Sequence, residues 1–175
     1  MKILTMSSRK AEYDKYLADH IQGVQDSFDK VKHQLDLPEG YKDEIEKQIA
    51  KHDASKFTDE EYYAYLDHFY PADGSEVADN DEADIPFDIA WLHHQHVNQH
   101  HWQYWVLVRD GGDLVAMDMP EHYVIEMLCD WHSFSRKNPE STAASWYSKI
   151  GKKMILSDGT RKLIDKHIKH FSTPL

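Results

Sequence analysis

Apolar residues recur at three- and four-residue steps along most of this chain, the period of helices that bury one face. Over residues 9–34, Tyr13, Leu17, His20, Val24, Phe28 and Val31 share a face about 100° wide, with His33 on the far side. His20 lies inside that stripe, where a histidine on its own is commonly a hydrogen-bonded core residue. Leu37-Pro38-Glu39-Gly40 breaks the helix. A second helix over residues 41–53 carries Ile45 and Ile49 and ends on His52-Asp53. Thr58 followed by Glu61 has the spacing of a capping box for a third helix. Its buried side is Tyr62, Tyr65, Leu66 and Phe69, and Pro71 ends it.

Residues 72–85 carry six acidic side chains and predict a solvated loop or lid; their spacing does not match a calcium-binding loop. Residues 86–105 then gather five histidines within nine positions. On one continuous helix Phe87, His94, Asn98, His101 and Trp105 would share a face, while His96 and His100 point elsewhere. His94 and His101 would stand roughly 10 Å apart along the axis. Joint ligation therefore requires a break near Asn98 or two metal ions. Val106 to Met117 reads as a β-hairpin around Asp110-Gly111-Gly112. Pro120 opens another helix on which Tyr123, Met127, Asp130 and Phe134 share a face, with Glu126 one turn before Asp130. Asn138-Pro139 ends it, a segment around Trp146-Tyr147 follows, and Ser157 to Phe171 forms a closing helix. The expectation is one all-α domain over residues 1–175, a helical bundle with a single short hairpin insertion, and no internal repeat.

Composition narrows the class. Mean hydropathy is −0.73, yet 12% of the 175 residues are aromatic, among them five Trp and ten Tyr, which a disordered chain would lack. A net charge of −11 argues against extended nucleic acid as a partner, which needs clustered Lys and Arg, but not against a small phosphorylated substrate. The single cysteine, Cys129, excludes an intrachain disulfide. No apolar run approaches the roughly 18 residues of a membrane span, and the N-terminal apolar stretch is too short for a secretory signal. A soluble cytoplasmic protein is expected; the oligomeric state is open.

The chemistry-bearing residues are His20, the pair His52-Asp53, the histidine cluster and Asp130. An acid among buried residues is costly unless it is paired or bound to a metal, which singles out Asp130. Together they form a nitrogen-and-oxygen donor set without thiolate. Such a set suits one or two divalent ions of iron, manganese, cobalt, nickel or zinc, with magnesium open. A metal site of this kind generates a nucleophilic water near neutral pH. Lys56, one turn after Asp53, could hold a phosphoryl oxygen, an electrostatic role. Glu61, Asn98, Lys152 and Arg161 are further candidates for orienting substrate, and Trp102, Tyr104 or Trp105 for stacking a base.

This order of residues, H…HD…H…HH…D with Lys56 after the pair, resembles the HD-domain metal-dependent phosphohydrolases. The resemblance implies an all-helical site, hydrolysis of a nucleotide or other small phosphate ester, and His20, His52, Asp53 and Asp130 as direct ligands. It further implies His94 and His101 as ligands of a second metal, and Lys56 matches the lysine of the family's HD-x-x-K form; Lys56, Asp53 and Glu61 are the candidate catalytic residues. Whether His100 or His93 replaces His101 or His94 stays open. The Gly-Tyr-Pro signature of cyclic-dinucleotide phosphodiesterases is missing after His101, where Trp102-Gln103-Tyr104-Trp105 stands. More closely, His52-Asp-Ala-Ser-Lys-Phe57, Ala90-Trp-Leu-His-His94 through Trp105, and Met119-Pro120 through Trp131 resemble a family of uncharacterised phage and bacterial proteins. That likeness covers most of residues 15–165 and implies no activity. Two other expectations are a non-catalytic binding or inhibitor protein on the same scaffold and a mixed-valent di-iron oxygenase.

Overall fold

The computed structural model describes residues 4–75 and 84–175. Glu76, Asp79, Asp81 and Glu82 of the expected acidic loop lie outside the described residues. Seven α-helices and one two-stranded antiparallel sheet make up the described architecture. The fold is all-α with a small hairpin. The described residues divide into two compact units, one drawn from residues 1–19 and 53–98, the other from 20–52 and 99–175. Helix α1 (Met6–Val31) contributes residues to both. No described helix is long and apolar enough to cross a membrane.

The first unit contains the start of α1, a 3-10 turn (Ala54–Phe57), α3 (Tyr62–Phe69) and α4 (Ile85–Val97). Its core is small and rich in aromatics: Tyr13, Leu17, Tyr65, Leu66 and Ala90, flanked by Tyr16, Tyr62, Tyr70, Phe87 and Trp91. Buried Arg9 donates to the Tyr70 carbonyl and to the Asp67 carboxylate. The capping box expected at Thr58 is not formed. The Thr58 hydroxyl donates to the Ser55 carbonyl, and Glu61 itself occupies the N-cap position of α3 without a side-chain capping bond. The Glu61 carboxylate is engaged by histidines instead. Asp84 caps α4 by accepting from the Phe87 amide at 3.2 Å.

The second unit holds the rest of α1, α2 (Glu39–Ile49), the hairpin strands β1 (Val106–Val108) and β2 (Leu114–Ala116), α5 (Glu121–Ser133), α6 (Ala143–Ile150) and α7 (Asp158–His167). Val106 pairs with Ala116, and Gly112 takes the turn with a φ of 89°, a left-handed conformation that favours glycine. Helix α5 is the element its neighbours α2, α6 and α7 pack against. Every residue from Val124 to Asp130 is therefore buried, on all sides of the helix. The single buried face expected through Tyr123, Met127, Asp130 and Phe134 does not hold, since Phe134 is 46% exposed. A helix with partners on several sides buries more than one stripe. At Gly23 of α1, a Cβ would lie 3.2 Å from the Ser133 Cβ, so a bare backbone there permits close approach to α5.

Two boundaries differ from expectation in ways that matter to the site. The second helix stops at Ile49, so His52-Asp53 stands in the turn after it and not on it. Asp53 has a φ of 56°, the only described non-glycine residue with positive φ, and Asp is among the few residues that tolerate this region. The histidine-rich helix stops at Val97, and Asn98 is extended. The closing helix is likewise shorter, Asp158–His167, and a 3-10 turn (Ile168–Phe171) completes the expected span.

Candidate metal centre

In the second unit three elements bring their polar groups together. His20 comes from α1 and Asp130 from α5, one turn from Gly23 and Ser133 respectively, where the two helices approach. His52 comes from the turn after α2. All three are buried. His20 Nε2 lies 3.3 Å from Asp130 Oδ1, and His52 Nε2 lies 3.8 Å from the same oxygen. The two imidazole rings are 5.4 Å apart, and these three residues offer ligand atoms within 4.8 Å of one another. On its other side, His20 Nδ1 meets the Ser133 hydroxyl at 3.3 Å.

His52 Nδ1 stands 2.8 Å from Glu126 Oε1. A carboxylate only accepts, so the imidazole donates from Nδ1 and turns Nε2 toward Asp130. Glu126 Oε2 accepts from the Gln48 amide. His100, buried in the turn beyond α4, places its ring 4.3 Å from that of His52 and its Nδ1 3.4 Å from Glu126 Oε1. His101, half-buried, packs its ring 4.3 Å from His100. The helical face that paired His94 with His101 does not exist, because the helix ends before Asn98; past the break, His100 is the buried histidine.

The first unit contains its own cluster. Glu61 is fully buried, its Oε1 accepting from His93 Nδ1 at 2.8 Å and its Oε2 from His94 Nδ1 at 2.7 Å. His94 Nε2 lies 3.3 Å from Asp53 Oδ1, and Lys56 Nζ pairs with Asp53 Oδ2 at 2.8 Å. Asn98 donates to the Ser55 hydroxyl at 2.7 Å and to the His94 carbonyl at 2.9 Å, so it closes the end of α4. Burial disfavours charge on Glu61, but the hydrogen bonds and charge of His94, with Ser55 and His93, hold its pKa below the usual range. Burial likewise disfavours the imidazolium of His94, yet Asp53 and Glu61 outweigh it and raise the pKa. His96 is exposed.

The remaining expected residues have structural surroundings. Arg161 donates to the carbonyls of Gly151 at 3.0 Å and Met154 at 2.8 Å and holds the turn between α6 and α7. Lys152 in that turn is exposed. Trp102 packs against the core of the second unit, and the exposed Tyr104 lies near it in the 3-10 turn Trp102–Trp105. Cys129 is buried and its thiol pKa is pushed up by desolvation. His132, which no motif marked, is a core residue: it accepts from the Ser27 hydroxyl and donates to the Thr173 carbonyl. Glu126, to which the sequence assigns no role, lies within the second unit's cluster beside His52 and His100. Its signal is an acid four residues before Asp130 within the otherwise apolar run Val124–Cys129.

A family model described as "Family of unknown function (DUF5662)" matches residues 9–170, and the chain belongs to that family. No curated protein and no solved structure matches it.

Proposed function

We propose that this member of the family is a metal-dependent phosphohydrolase of the HD-domain type, acting on a nucleotide or other small phosphate ester. The observation that carries this reading is the convergence of His20 Nε2 and His52 Nε2 on Asp130 Oδ1 from three separate elements, all buried. The residues fit a divalent cation by donor chemistry. The acids of this cluster, Glu126 and Asp130, have imidazoles as their ion-pair partners. Carboxylate oxygens and imidazole nitrogens gathered in a desolvated place are a donor set suited to a bound cation.

Two imidazole nitrogens and a carboxylate oxygen suit manganese, iron, cobalt, nickel or zinc. Such an ion supplies an activated water as nucleophile and charge toward phosphoryl oxygens. His20, His52 and Asp130 would hold it; Glu126 and Ser133 orient two of those side chains. The same donor set also suits iron in oxygen chemistry.

The experiment is to incubate purified protein with Mn²⁺, Fe²⁺, Co²⁺ or Mg²⁺ and a nucleotide panel and to measure phosphate or nucleoside release. Release is expected with metal and is lost on chelation and in His52→Ala. Activity that survives both would sink the reading. Bound iron with oxygen consumption and no phosphate release would favour the oxygenase.

A further inference from the structure

Glu126 can be understood in two ways. With His52 and His100 it forms a second group whose ligand atoms lie within 4.8 Å of one another, so it could itself be a metal ligand. Both groups contain His52, and they ask opposite things of it. Ligation beside Glu126 uses Nδ1, whereas ligation beside Asp130 uses Nε2.

We propose that Glu126 is a positioning residue that fixes His52 as the Nδ1–H tautomer and so makes Nε2 the ligating atom. This rests on the metal reading of His52 given above. Three features support it. The Nδ1···Oε1 distance of 2.8 Å is that of a hydrogen bond to a carboxylate. The other carboxylate oxygen is anchored by the Gln48 amide, so the group is held from both ends by donors. The first unit repeats the device independently. There Glu61 receives Nδ1 of His94 at 2.7 Å, and Nε2 faces an aspartate oxygen at 3.3 Å. A carboxylate on the far nitrogen of a ligating histidine fixes its tautomer and raises its basicity, and its loss typically weakens metal binding by about 10–100-fold.

Glu126→Gln, Glu126→Ala and Gln48→Leu separate the two roles in the full-length protein. In Glu126→Gln the new side chain can still accept from His52 through its amide oxygen, while the Gln48 amide turns to receive the new NH₂ group. The readouts are Co²⁺ affinity and stoichiometry by calorimetry, the Co²⁺ visible spectrum, and ¹⁵N NMR of histidine in metal-free protein. The expected result is about 10–100-fold weaker Co²⁺ binding for Glu126→Ala and substantial rescue by Glu126→Gln. Band positions and stoichiometry stay unchanged, and the His52 Nδ1–H signature is lost only in the alanine variant. Gln48→Leu keeps the carboxylate and is expected to weaken binding by less than Glu126→Ala; it carries the test should the alanine variant not fold. The proposal is overturned if Glu126→Gln shifts the Co²⁺ bands or binds no better than Glu126→Ala, or if none of the variants changes affinity. A protein that binds Co²⁺ in this way yet hydrolyses no phosphate ester would refute the proposed activity and leave this inference standing.

Discussion

Glu61 in the first unit and Glu126 in the second each accept Nδ1–H from a buried histidine, and each of those histidines turns Nε2 toward an aspartate. The two clusters differ in their cations. In the first unit Asp53 already has the Lys56 ammonium at 2.8 Å, and Glu61 divides its oxygens between two imidazoles. In the second, Asp130 faces the imidazoles of His20 and His52, and Glu126 spends one oxygen on a neutral amide. The same arrangement has a protein ammonium beside its aspartate in one place and, on the proposed reading, an external cation in the other. The cores differ in parallel. The first unit packs tyrosines around Leu17 and Leu66, and the second packs mainly aliphatic residues around α5.

The contrast is most severely tested at Asp130. Asp130→Asn is expected to weaken Mn²⁺ or Co²⁺ binding by more than about 100-fold, judged against the smaller effect of losing an orienting group. Calorimetry on the full chain measures this, and undiminished affinity would break the assignment of the cation to the second unit. In the first unit the corresponding change is Lys56→Met. It removes the cation from a buried carboxylate and is expected to cost about 3–5 kcal/mol of stability in a urea melt. A neutral result would mean that Asp53 is compensated in some other way.

A smaller effect sharpens the difference between the cores. The Tyr65 hydroxyl is buried without a hydrogen-bond partner among the described residues, and burial raises its pKa. Tyr65→Phe removes a desolvated polar group with little loss of packing. It should be neutral or stabilising by up to about 1 kcal/mol, and a clear drop in melting temperature would reveal a partner for that oxygen.

The smallest effect concerns pH. Glu121 in the second unit is disfavoured by burial, but hydrogen bonds from Lys166 and His167 hold its pKa below the ordinary 4.5. A depressed carboxyl contributes stability above its unfolded pKa and loses it as pH falls through the folded value. Glu121→Gln should therefore melt lower than the native chain at neutral pH and converge with it below about pH 4. Parallel melting curves across that range would contradict the pairing.

Much of the framework was legible from periodicity alone. The stripe from Tyr13 to Val31, the pair Ile45 and Ile49, and the hairpin around Gly111-Gly112 all appear where apolar spacing and turn chemistry place them, since each is a local property of its own segment. The burial of His20 was readable for the same reason, since it sits in an apolar stripe, whereas Asp130 is buried because α5 has partners on several sides. The boundaries at Ile49 and Val97 were not readable, because no Pro or Gly marks them. Face-counting through Asn98 consequently grouped His101 with His94, while past the break His100 is buried and His101 half-buried beside it.

The helical register, the small hairpin and the burial of His20 thus follow from the order of residues along the chain. Which nitrogen of each histidine faces which carboxylate was settled in three dimensions. Glu61 and Glu126 find their histidines across the fold, and Thr58 loses its expected partner because Glu61 is already engaged by His93 and His94. The reason is the range of the interactions. Apolar periodicity acts through neighbours three and four residues away, whereas compensating a buried charge recruits whatever donor the packed helices bring within hydrogen-bond reach.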